Sequence, residues 1–64
     1  MIVAGNLEAA MDLAKEVSIK KPHKTFFVIS CMKSKKFYVD TDSRVRNFET
    51  IEGQFSNGKF KSVD

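Results

Sequence analysis

The chain has one cysteine, one histidine, one proline and three glycines, and each scarcity excludes something. A single thiol cannot close an intramolecular disulfide, so the fold must hold without staples and a reducing compartment is expected. One Cys and one His cannot supply the four ligands of a structural zinc site, so no metal and no cofactor are expected. Phosphate cradles need glycine-rich loops entering a helix, and here Gly5 stands alone before the first helical pattern, with Glu8 behind it to repel an anion. Long hydrophobic runs are also missing. The opening Met1–Gly5 has no basic flank and is too short for a leader or a membrane span, so the chain reads as complete, soluble and cytoplasmic.

What remains is 64 residues, 42% hydrophobic and 30% charged, with no low-complexity tract. These are globular proportions for a single small domain spanning 1–64, near the lower size limit for an unstapled core. The net charge of +3 is mild for a nucleic-acid carrier, yet it is unevenly spread. Residues 1–19 hold Glu8, Asp12 and Glu16 against Lys15, whereas residues 20–46 hold eight of the eleven Lys and Arg.

Leu7, Ala10, Met11, Ala14, Val17 and Ser18 fall on one face at helical spacing, after Asn6 as N-cap and before Pro22 as terminator. Ile19 lies off that face, which implies a frayed end or a partner surface. Thr25–Met32 and Lys36–Thr41 carry the β-branched and aromatic residues of strands, broken by Lys33-Ser34-Lys35. A three-residue loop pairs odd positions with odd, placing Phe27, Ile29 and Cys31 beside Phe37 and Val39 on the core face. Asp40–Ser43 has turn composition. Residues 44–50 suit a helical turn or an irregular strand equally well. Ile51, Gly53 and Phe55 alternate with polar residues, and Asn57-Gly58 marks a two-residue hairpin that sets Phe55 opposite Phe60.

The expected architecture is α+β, in the order α-β-β-β-β: one N-terminal helix packed on an antiparallel sheet of four strands, or of three. Its core would be Leu7, Met11, Ala14, Val17, Phe27, Ile29, Cys31, Phe37, Val39, Phe55 and Phe60. On this register Cys31 is a buried thiol rather than a nucleophile. The acidic turn from Asp40 is not a calcium loop, because Val45 stands where glycine is required and Ile51 where a bidentate Glu belongs.

Two functional expectations follow, and neither is an enzyme. The first is an interaction module, most simply a homodimer through the sheet face, because Phe26, Val28, Met32 and Tyr38 would form an apolar stripe opposite the helix. The partner is then the chain itself or another protein. The alternative is weak single-stranded nucleic-acid binding through Lys33, Lys35, Lys36, Tyr38, Arg44, Arg46, Lys59 and Lys61, with rings stacking and cations holding phosphates. Against it, KKFYVDTD lacks the glycines of the RNA-recognition-motif signature.

Overall fold

The computed structural model describes residues 2–62 and shows an α+β fold, a helix lying on an antiparallel sheet. The elements are β1 (Ile2–Ala4), α1 (Leu7–Lys20), β2 (Thr25–Cys31), β3 (Lys36–Asp40), β4 (Glu49–Ser56) and β5 (Lys59–Lys61). The sheet runs β1-β3-β2-β4-β5, with every neighbouring pair antiparallel. It therefore has five strands rather than four. The extra one is Ile2-Val3-Ala4, paired along β3 at the edge.

The helix forms where the sequence places it. Asn6 is extended and its side-chain oxygen accepts from Ala9 N–H at 2.7 Å, satisfying a donor that the first turn leaves free. Glu8 and Lys20 sit at the dipole ends that favour them, and Lys20 also pairs with Glu16 one turn back. The buried stripe is small, Ala10, Ala14 and Ser18, which lets the helix axis come close to the sheet. Around it pack Phe26, Val28, Val39, Phe55 and Ala4, with Met11, Leu13, Val17 and Phe37 partly buried at the margins. Ile19 is part of the helix and packs on Gly58, so the end does not fray.

The register of β2 departs from expectation. Val28 faces Val39, and Cys31 faces Lys36, so the β2–β3 loop holds four residues, Met32 to Lys35. An even loop pairs even positions with odd ones and turns β2 over. Phe26 and Val28, expected on the open face, are core residues under the helix at 8% and 0% exposure. Phe27, Ile29 and Cys31, expected in the core, point to the opposite face. Val39, Phe37 and Phe55 face the helix as the sequence suggested.

On the other flank β4 carries a bulge. Val28 pairs with Gly53 but Ile29 pairs with Ile51, leaving Glu52 unpaired, and Ser30 donates to its carboxylate at 2.6 Å. The bulge flips Ile51 to the outer face while Gly53 and Phe55 stay inward. Phe60 lies over Gly53, where a Cβ would stand 2.4 Å from the ring, and meets Phe55 edge-on at 5.4 Å. It stays half exposed, as does Leu7 at the start of the helix, so neither is the core residue expected.

Candidate interaction surface

Strands β3 and β4 both run against β2 and therefore parallel to each other, with β2 between them. The chain must return from the end of β3 to the start of β4, and residues 41–48 make that crossing over the face opposite the helix. This strap is neither helical turn nor strand for most of its length. It accounts for Ile29 being only 5% exposed on a face that no helix covers. Between strap and sheet lies a cavity of about 510 Å³, floored by Ile29 and Tyr38 and roofed by Arg44, Val45 and Arg46.

Side chains stand in for ladder bonds along the strap. Asp40 accepts from the N–H groups of Thr41 and Asp42, and Asp42 accepts from Arg44 N–H at 2.9 Å. Asp42 also pairs with the Arg44 guanidinium at 3.0 Å; the charge-assisted hydrogen bond holds the carboxyl below its usual range and the guanidinium above its own.

The strap ends in a tight turn, Arg46-Asn47-Phe48-Glu49. Glu49 N–H bonds to the Arg46 carbonyl at 3.1 Å, and the Glu49 carboxylate accepts from Arg46 N–H at 2.7 Å. Phe48 has φ of +72°, while Asn47 is not in the left-handed region. Positive φ at the third position alone is the type II pattern, which calls for glycine there. A phenylalanine in that position is a backbone outlier. Its carbonyl accepts from Met32 N–H at 2.8 Å, tying the strap to the β2–β3 loop.

That junction gathers the most exposed apolar side chains of the sheet end. Met32 is 77% and Phe48 63% exposed, with Val45 exposed nearby on the strap. The Lys33 ammonium sits 5.9 Å from the Phe48 ring centroid. Lys35, also at positive φ, ends the loop and Lys36 begins β3. Among the described residues the two ion pairs are Glu16–Lys20 and Asp42–Arg44, so Lys33, Lys35, Lys36 and Arg46 carry none.

Of the apolar stripe expected from sequence, only Met32 and Tyr38 are at the surface. Tyr38 is half buried in the cavity floor, its hydroxyl 3.3 Å from that of Ser34. The eight expected nucleic-acid contacts do not form one surface. Lys33, Lys35, Lys36 and Arg46 collect at the hairpin end, Arg44 is bound to Asp42, and Lys59 and Lys61 lie on β5 at the far edge and opposite end. Phe48 was missed because its spacing suits a helical turn and an irregular strand equally; no residue in the turn announces left-handed backbone at Phe48.

Cys31 ends β2 on the outer face, half buried rather than in the core. The Ser34 hydroxyl, followed by its main chain, holds the thiol below the usual range. His23 precedes the start of β2 and so stands a strand length away. No group of three or more His, Cys, Asp or Glu is placed to hold a metal ion among the described residues. No described helix is long and apolar enough to cross a membrane. Neither a family model, a curated protein nor a solved structure matches the chain.

Proposed function

We propose that the protein is a non-enzymatic interaction module that binds another protein through the hairpin end, with Phe48 and Met32 as apolar anchors. The observation that carries this reading is Phe48, which is both strained and exposed. Left-handed backbone costs a non-glycine residue about 1–2 kcal/mol. The covered third of the side chain returns only about 0.5–1 kcal/mol. A ring that the fold would be better without has its use elsewhere, and outliers of this kind concentrate at binding and switching sites. Met32 beside it adds a flexible, polarizable side chain of the sort that adaptive protein surfaces favour.

The alternative, single-stranded nucleic acid, draws support from the four unpaired cations around Phe48. Stacking needs open ring faces, however, and these are scarce here. Lys33 already lies over Phe48, while Phe27 and Tyr38 are half buried.

Phe48→Gly tests the reading through stability. Urea unfolding should give a protein as stable as wild type or more so, by up to about 1 kcal/mol. A loss of more than about 1 kcal/mol would make the ring a structural element and defeat the proposal.

A further inference from the structure

We propose that the partner is an acidic polypeptide segment that presents an apolar side chain to Phe48 and Met32 and carboxylates to Lys33, Lys35 and Arg46. This rests on the protein-binding reading above and specifies the partner's chemistry. Positive charge is left over at this end of the sheet. Asp42 is paired with Arg44, while Glu49 and Glu52 keep their charge, accepting only from the Arg46 N–H and the Ser30 hydroxyl. Lys33, Lys35, Lys36 and Arg46 have no ion pair among the described residues and outnumber those two carboxylates at the end of the sheet that carries Met32 and Phe48. A basic or neutral partner would leave that field unmatched, whereas an acidic one is steered in and oriented by it. The apolar centre with a charged rim follows the ordinary anatomy of a protein interface. The backbone favours the same spot, because Lys35 and Phe48 are two of the three non-glycine residues with positive φ among those described, and both flank the junction.

The test is amide chemical-shift mapping of the full chain against three probes. One is a synthetic peptide of glutamates around a central Leu-Phe pair; the second replaces each glutamate by lysine; the third is an oligothymidylate of matching charge. The acidic peptide should move Met32, Lys33, Arg46 and Phe48 saturably, and bind several-fold more weakly as salt rises from ~20 to ~200 mM. Phe48→Gly should lose about tenfold in affinity, and the double variant Lys33→Glu, Arg46→Glu should transfer the preference to the lysine peptide. Equal binding of both peptides, shifts away from the junction, or tighter binding of the oligothymidylate would each overturn the inference. If no probe moves these amides while Phe48→Gly still leaves stability intact, the acidic partner is wrong and the interaction surface stands. If Phe48→Gly destabilises the fold, the surface falls as well.

Discussion

Two turns of this chain make opposite choices for a position with positive φ. In the β4–β5 turn Asn57 and Gly58 take φ of +51° and +78°, conformations that Asn and Gly tolerate best. In the strap turn the same region of φ is occupied by Phe48, which tolerates it badly. The first turn is also built into the fold: Gly58 N–H donates to the buried Ser18 hydroxyl at 2.9 Å, and Ile19 packs on Gly58. The second is tied by the bond from Met32 N–H and otherwise faces solvent. Residue choice thus separates a turn that holds the molecule together from one that, on the proposed reading, serves a contact outside it.

Substitutions can break the contrast. Gly58→Val should be the most damaging, because a Cβ there stands 2.8 Å from Ile19 Cγ1 and a branched side chain resists positive φ. A loss of about 2–4 kcal/mol is expected in urea unfolding, and one below about 1 would mean the turn is as plastic as the strap. Ser18→Ala comes next. It removes the hydroxyl that donates to the Lys15 carbonyl and accepts from Gly58, in a residue with no exposed surface. The stranded Gly58 N–H should lower stability by about 1–3 kcal/mol, with faster exchange of that amide. Phe48→Gly is expected to act in the opposite sense, neutral to stabilising by up to about 1 kcal/mol, which sharpens the comparison most directly.

The smallest effect concerns the strap's other end. Because the folded-state Asp42 pKa lies below its ordinary value, its pairing contributes fully above the ordinary carboxylate range and is lost as pH falls through the lowered one. The pair is exposed, so global stability should hardly change. A carboxyl titration by NMR should place Asp42 below the ordinary aspartate range and return it there in Arg44→Gln; a wild-type midpoint within that range would mean Arg44 does not hold it.

Much of the architecture was readable and the orientation of its central strand was not. Asn6, the apolar face and Pro22 delimit α1, and Asn57-Gly58 fixes the second hairpin with Phe55 against Phe60, both as found. β1 escaped because three apolar residues carry no periodicity. The β2 error has a physical origin: the helix buries Phe26 and Val28 while the strap buries Ile29, so a strand covered on both sides has no alternation to read. Parity then hung on loop length, and Met32 belongs to the loop. The bulge at Glu52 hid the inversion by letting Phe55 face inward although Ile51 does not. The proposed interaction surface was half legible, in Met32 and the lysines, since Phe48 becomes visible only through its backbone angle.

The strap has a kinetic consequence as well. β2 and β3 meet across a four-residue loop, whereas Cys31 reaches Glu49 only after the whole of β3 and the crossing segment, and Ala4 reaches Phe37 across helix and strand. Closing a longer loop costs more entropy before any contact rewards it. Among the pairings that build the centre of the sheet, the β2–β3 hairpin should therefore form first, with the locally closed β4–β5 hairpin and β1 docking on its two sides. Pulse-labelled hydrogen exchange would show this as early protection of Val28 and Val39, and simultaneous protection of Ile51, which pairs with β2 and not with β5, would refute it. The junction of Met32 and Phe48 closes only when β4 docks, so the surface proposed for binding is among the last parts of the chain to exist.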